Sequence, residues 1–529
     1  VKNISFMPTR IWHCDQNSCF LIFETLKRMS IPTGADFPLT KRIALFGAPI
    51  LCLLMLNFSP FLMLSPMAQK VLAVMAWMLI WWIGEVVHLS VTALLPIVLF
   101  PLLGIMKVEV VTQSYGNSVI FLFLGGFMIA LAMEKWNLHI RIALNIVKAT
   151  GTNADSIILG FMFATGFLSL WISNTATTVM MLPIAASVIG LLGEAKADPK
   201  SLANFNLCLL LGIAYAATIG GCGTIIGTPP NQVFASIIAK LYGYEVSFAQ
   251  WAMFGIPFVT LLLLLNYWVM VKWVYPNRLG YFEGTAKVIE SELQKIGKMS
   301  KAEKLTMSVF VLTACLWIFR DVLNHLFVIA HLSLKLDDTM IAVFAAILLF
   351  LIPVNFKQGE FLLQWEDTKR LPWGILLLFG GGLSLSSALD RSGIIQLIGD
   401  SVGNHKDWNM LTVISLMVIV GVFMSEVMSN VAMVAVMTPV VAGLAIGLGQ
   451  DPLLLTIPVT LAASCAFMLP MGTPPNAIVF ASGHIKFFQM VKVGFILNII
   501  GIILMIAVAW YILPWVFGIE LGVVPEWAK

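Results

Sequence analysis

The pentapeptide Gly-Thr-Pro-Pro-Asn stands twice in this chain of 529 residues, at 227–231 and again at 472–476, although the chain has only 24 prolines to distribute. It closes a longer correspondence. A shift of 256 residues lays Gly125 and Gly126 on Gly381 and Gly382, Ala132 on Ala388, Glu134 on Asp390 and Lys135 on Arg391. Without a gap it goes on to lay Ser169 on Ser425, Ser173 on Ser429, Asn174 on Asn430 and Pro183 on Pro439. An eleven-residue difference in length follows, and then the two pentapeptides match. Such a chain folds as two copies of one unit, and a site built on these motifs is built twice.

The solvent of that unit follows from composition. Hydrophobic residues make up 59% and charged residues 11%, against roughly a quarter charged in soluble domains, so the chain is a polytopic membrane protein. High hydrophobicity and a net charge of +4 exclude a disordered chain and the clustered basic face of a nucleic-acid binder. The seven cysteines, at 14, 19, 52, 208, 222, 315 and 465, form no CxxC pair and read as small buried hydrophobes.

Windows of about 20 apolar residues fall at 43–63, 70–87, 90–106, 118–133 with an amphipathic extension to 148, 155–190 with a break near 173, 205–226 and 250–274. Beyond a polar interruption they resume at 305–327, 338–355, 373–389, 409–447 with a break near 429, 453–470 and 487–516. The short glycine-interrupted segments 118–133 and 373–389 read as re-entrant hairpins, leaving about eleven full spans. The fold class is all-α. Residues 1–42 form a basic arm without the pattern of a cleaved signal peptide. An extra first helix and the first repeat occupy 43–274, a Lys/Glu-rich loop 275–304, the second repeat 305–516 and a tail 517–529. The positive-inside rule puts the arm and the loop in the cytoplasm and the tail outside. Five spans plus a hairpin per repeat then make the repeats inverted, an architecture of secondary transporters with sites at the repeat interface.

Ser173-Asn174-Thr175 interrupts an apolar run far too long for one straight span, so the helix is unwound there, which a bilayer tolerates only where the freed backbone lines a protected cavity. Freed carbonyls of the first half-helix suit a cation, and freed N–H groups of the second suit an anion. Ser169 adds a hydroxyl on the first half-helix. The pentapeptides act alike, glycine permitting unusual backbone and proline starting the next helix. A single copy of either motif reads as helix packing or a kink; both motifs in both repeats read as sites. The other candidates are weaker. The glycines from Gly221 to Gly227 imitate a nucleotide loop but follow no strand, and His13, His88, His139, His325, His331, His405 and His484 lack metal-ligand spacing. Glu85 and the Arg320-Asp321 pair read as interfacial, and Trp77, Trp81 and Trp82 as belt or packing residues. Glu426, ionisable at membrane depth beside Ser425, is a functional candidate without an assigned role.

On the paired Ser-Asn and GTPPN elements the sequence resembles the divalent anion/sodium symporter family over residues 43–516. The resemblance implies eleven spans with two hairpins, a homodimer formed by scaffold domains, and an elevator-like transport domain in the cell membrane. It implies Na⁺-coupled import of succinate, malate or fumarate, with citrate or sulfate in some branches, and no organic cofactor. By that resemblance a first sodium site uses Ser169, Ser173, Asn174 and the backbone at Gly227, and a second uses Ser425, the carbonyl of Met428, Asn430 and the backbone at Gly472. Substrate carboxylates meet Asn174, Thr175 and Thr228 from one repeat and Asn430, Thr473, Pro474 and position 431 from the other. The second signature reads Ser429-Asn430-Val431, so Val431 lacks the hydroxyl of Thr175. No Lys or Arg lies in either signature or either pentapeptide, so a dianion there is balanced by Na⁺ and half-helix dipoles, and cations bind first. The alternatives are a sodium-independent exchanger on the same fold and a membrane-embedded enzyme or channel. An enzyme needs a nucleophile-base pair or a metal cluster, and the sequence offers neither.

Overall fold

A computed structural model describes residues 38–57, 64–151, 153–193, 198–277, 279, 283–403 and 408–529. Most of the basic arm, with His13, Cys14 and Cys19, and also His405, lie outside the described residues. Nine helical segments among them have the length and apolarity to cross a bilayer, and six apolar helices are shorter.

The chain opens with α1 (Leu39–Asn57) and α2 (Pro66–Ile83). The segment expected as one span at 90–106 is instead α3 (Leu89–Thr92) and α4 (Leu95–Leu102), with Pro96, which has no N–H to bond back to the turn before it, in the first turn of α4. A short α5 (Val108–Gln113) leads into α6 (Ser118–Lys135) and α7 (Leu138–Thr150). The expected span 155–190 is α8 (Ala154–Ser169) and α9 (Asn174–Gly193), with the chain unwound between them. Then come α10 (Pro199–Gly221), α11 (Pro229–Tyr242) and α12 (Phe248–Tyr267), which runs on as one π-turn through Val274. The polar loop carries α13 (Glu283–Ile296), an amphipathic helix where only loop was expected.

Helices α14 (Lys301–Ile329) and α15 (Asp338–Leu351) open the second half. A small antiparallel hairpin, β1 (Pro353–Asn355) with β2 (Glu360–Phe361), follows where continued helix was expected to 355. Pro353 lacks the N–H that another turn needs. The order of the first half then recurs: α16 (Trp373–Arg391), α17 (Ile394–Gly403), α18 (Met410–Ser425), α19 (Asn430–Gly447), α20 (Pro452–Ala463), α21 (Pro474–Ala481) and α22 (Phe487–Ala507). A π-turn, Val508–Ile512, again ends the last long helix, and α23 (Leu513–Phe517) follows. Helix α20 stops at Ala463, short of the expected 470, and 464–473 is irregular backbone.

Gly125-Gly126 and Gly381-Gly382 do not interrupt their helices, as had been expected. The chain turns instead at Asn137 (φ 55°) and Gly393 (φ 76°), one repeat length apart, and Asn and Gly are the residues that adopt left-handed backbone readily. The glycines permit close packing. A Cβ on Gly125 would stand 2.6 Å from the Ala342 carbonyl, and one on Gly381 would stand 2.5 Å from the Ala93 carbonyl.

One large buried apolar cluster joins both repeats, and a smaller one gathers α2 to α5 against α16 and α17 through Trp82, Phe100, Leu378 and Leu385. Of the described cysteines, Cys52, Cys208, Cys222 and Cys465 are buried as expected, whereas Cys315 is exposed. No group of three or more His, Cys, Asp or Glu among the described residues could hold a metal ion.

Candidate functional site

Each break brings the same three oxygens together. In the first repeat, Ser169 Oγ at the end of α8 lies 2.7 Å from Asn174 Oδ1 and 2.6 Å from the Ala217 carbonyl on α10. In the second, Ser425 Oγ at the end of α18 lies 2.9 Å from Asn430 Oδ1 and 2.5 Å from the Ala463 carbonyl on α20. A serine hydroxyl has one proton and can donate to only one of its two neighbours; the other contact is met when the asparagine amide turns its Nδ2 toward the serine, or when a cation lies among the three oxygens. The hydroxyl, amide and carbonyl groups gathered at each break are oxygen groups of the kind a hard cation takes as ligands.

The pentapeptide loop closes over the first break. A Cβ on Gly227 would lie 2.6 Å from the Gly221 carbonyl and 3.0 Å from the Ser169 carbonyl, and one on Gly221 would lie 2.5 Å from Asn174 Oδ1. Gly227 therefore touches Gly221 and Ser169, Gly221 touches Asn174, and at 227 any side chain would strike backbone. At the second loop the surroundings differ: a Cβ on Gly472 would lie 3.1 Å from Glu426 Oε2 and 3.3 Å from the Leu469 carbonyl. Thr228 and Thr473 each begin the following helix in extended backbone, with proline at its first turn. Both threonines are buried, and Thr473 Oγ1 has no hydrogen-bond partner.

The remaining expected site residues lie nearer the surface. Ser173 is exposed and its Oγ accepts the Ala176 N–H at 3.3 Å, capping α9. Thr175 and Pro474 are exposed, and Asn174, Met428, Asn430 and Val431 are half-buried. Val431 packs against the edges of both apolar clusters. A crevice of about 600 Å³ lies elsewhere, lined among others by Ser118, Leu122, Arg320, Asp338 and Phe344. The ion pairs Lys135–Asp367 (2.7 Å), Arg141–Glu303 (2.8 Å) and Arg320–Asp338 (3.1 Å) involve no residue of either break. Glu85 is exposed, and its carbonyl accepts from Lys41.

Sequence reasoning gave no role to the last residue of the pentapeptide. Asn231 Nδ2 donates to the carbonyls of Gly221 (3.2 Å) and Thr224 (2.9 Å), and Asn476 Nδ2 donates to those of Ala466 (3.2 Å) and Leu469 (3.1 Å). Each ties the loop back on itself. Its identity in both copies was the available signal. Asn498, a lone amide in the apolar run of α22, was also overlooked; it donates to Glu426 Oε1 at 2.8 Å.

The family model described as the sodium:sulfate symporter transmembrane region matches residues 40–516. The sodium-dependent dicarboxylate transporter SdcS of Staphylococcus aureus strain USA300 is 42% identical over 508 residues, covering 95% of this chain and 96% of that protein. SdcS of strain MRSA252 is 42% identical over 491 residues, covering 92% and 94%. Among solved structures, Neisseria gonorrhoeae MtrF, titled as one of a class of antimetabolite efflux pumps, aligns with a TM-score of 0.54 at 13% identity, covering 95% of this chain and 98% of its own. The Alcanivorax borkumensis YdaH transporter aligns with a TM-score of 0.50 at 11% identity, covering 77% and 88%. At those identities the two share its fold alone. With the model match spanning both breaks and both pentapeptide loops, the chain belongs to the sodium:sulfate symporter family of membrane transporters.

Proposed function

We propose that this protein is a secondary active transporter that couples inward Na⁺ movement to import of C4-dicarboxylates such as succinate, malate and fumarate. The observation that carries this reading is the same serine, amide and carbonyl cluster gathered at both breaks. With both amide oxygens turned inward, an Na⁺ ion at each break takes the place of the missing hydrogen and is ligated by the serine, amide and carbonyl oxygens. The ligands fit: serine hydroxyls, amide oxygens and carbonyls suit a hard monovalent cation without a carboxylate. Ser169, Ser173, Asn174 and the Gly227 backbone form the first site; Ser425, the Met428 carbonyl, Asn430 and the Gly472 backbone form the second.

The substrate dianion then lies between two bound cations and the N-termini of α9 and α19, whose free N–H groups and positive dipole ends face it. Asn174, Thr175 and Thr228 serve it from one repeat, and Asn430, Thr473 and Pro474 from the other. The name of the S. aureus relatives supports the dicarboxylate class. In this reading the repeats are inverted, the α6–α7 and α16–α17 pairs are the re-entrant hairpins, and the arm and the α13 loop face the cytoplasm. The protein works as a homodimer in the cell membrane whose transport domain moves as an elevator.

Counterflow in proteoliposomes tests the assignment, with succinate, malate, fumarate, citrate and sulfate offered with and without Na⁺. The expected result is Na⁺-dependent exchange of the dicarboxylates. Sulfate or citrate as the preferred substrate would overturn the substrate class, and exchange unaffected by Na⁺ removal would overturn symport.

A further inference from the structure

The two repeats differ in what stands buried directly after the serine of each break. The residue after Ser169 is Leu170, and the residue after Ser425 is Glu426. Leu170 lies with Val259 over the Cα of Gly223. A second pair answers it on α12 and α22: Gly255 packs against the Gly223 carbonyl, Gly494 packs against the Phe467 carbonyl, and in that register Val259 corresponds to Asn498. The first repeat therefore has Leu170 with Val259 where the second has Glu426 with Asn498.

Glu426 is only 3% exposed. Its Oε1 accepts from the Met468 N–H (2.9 Å) and Asn498 Nδ2 (2.8 Å), and its Oε2 accepts from the Leu469 N–H (3.0 Å). All three partners are donors, which suits a carboxylate; a carboxylic acid would require an acceptor for its O–H. Oε2 stands beside Gly472, and Asn498 Oδ1 also accepts the Phe467 N–H at 3.3 Å. The carboxylate thus holds the irregular backbone at 467–469 that leads into the second pentapeptide.

Resting on the sodium-coupled reading above, we propose that Glu426, oriented by Asn498, is a fixed buried charge that makes the second cation site the tighter of the two, so that cations fill the second repeat first. The first site, with an apolar pair in the same place, has dipoles alone to attract its ion. A charge a few ångströms from an ion in a poorly screened interior outweighs small differences among neutral ligands. Glu426 is thus a positioning and affinity-setting residue, in addition to the oxygens that ligate the ion.

Na⁺ titration of thermal stability in purified full-length protein, without substrate, tests this independently of transport. Asn174→Ala leaves the second site intact and should keep the high-affinity Na⁺ stabilisation of wild type, whereas Asn430→Ala should require at least about tenfold more Na⁺. Glu426→Gln should show the same loss of affinity. Glu426→Gln with Asn498→Asp returns a carboxylate across the same hydrogen bond, at the cost of the acceptor for the Met468 N–H, and should bring Na⁺ affinity measurably closer to wild type than Glu426→Gln alone. Equal Na⁺ affinity in Asn174→Ala and Asn430→Ala overturns the proposal even if the Glu426 variants fail to fold. So does a folded Glu426→Gln with unchanged Na⁺ dependence, or a folded double variant that stays as weak as Glu426→Gln. Absence of any Na⁺ stabilisation in wild type would instead overturn the sodium-coupled reading itself.

Discussion

Replacing Asn231 tests whether the first cation site depends on a loop held by its own asparagine. Nδ2 donates to two buried carbonyls, those of Gly221 and Thr224, and Gly221 is in contact with both Asn174 and Gly227. Alanine removes both bonds in a site with no exposure and leaves the Gly221 carbonyl without this donor, while the Thr224 carbonyl keeps the Gly227 N–H at 3.4 Å. At about 1 to 2 kcal/mol for each, the loss is roughly 2 to 4 kcal/mol. If the loop geometry is what an ion needs, apparent Na⁺ affinity falls by about 30-fold to 1000-fold. Asn231→Asp separates hydrogen bonding from packing: it keeps the shape, removes the donor and turns a charged oxygen toward two carbonyls. It should therefore be at least as damaging as alanine. The assay is Na⁺ dependence of uptake in proteoliposomes, with thermal unfolding to confirm a folded protein. An aspartate variant that transports with wild-type Na⁺ dependence would refute the bracing role.

Three further outcomes are expected. Asn174→Ala and Asn430→Ala should each abolish uptake in protein that still folds and reaches the membrane, because each removes an oxygen shared by an ion and the substrate; full uptake by either would refute a site built from both repeats. Val431→Thr should change the preference among dicarboxylates and leave Na⁺ affinity unchanged, through a hydrogen bond worth about 0.5 to 3 kcal/mol; an unchanged substrate profile would place Val431 with the apolar clusters it packs against. Asp451, which caps α20, has its carboxyl pushed up to about 6 by burial, partly offset by its bond from the Leu453 N–H. Its ionisation therefore costs the folded state stability as pH rises from about 4 to 6, by up to about 3 kcal/mol above that range, and lowering the pH from 7 to 5 should stabilise the protein. Asp451→Asn keeps the cap and should flatten that part of the pH dependence, which thermal unfolding across pH 5 to 7.5 would show; an unchanged slope would refute it.

How much was legible in the sequence depended on whether the signal lay along the chain or across it. Both helix breaks were legible, since polar residues inside an over-long apolar run, Ser173-Asn174-Thr175 and Ser429-Asn430, mark where one half-helix ends and the next begins. Helix ends were less so: apolar character continues past Ala463 although the helix does not, and the glycine pairs suggested interruptions where the structure uses them for contact with Ala342 and Ala93. The true turns, at Asn137 and Gly393, needed the repeat register, with Asn and Gly read as equivalents. The carbonyls of Ala217 and Ala463 were invisible because a backbone acceptor has no side-chain signature. The donors on Glu426 come from α22 and from irregular backbone more than forty residues away, so its neighbour Ser425 could not reveal them.

Succinate uptake and current recorded together in proteoliposomes that hold an inward Na⁺ gradient decide whether Na⁺ drives the import. Import of a dianion with more than two Na⁺ carries net positive charge inward, so uptake should require Na⁺ and produce an inward current that grows with it. Succinate uptake that proceeds equally in choline or K⁺ medium, with no current, would contradict sodium-coupled symport.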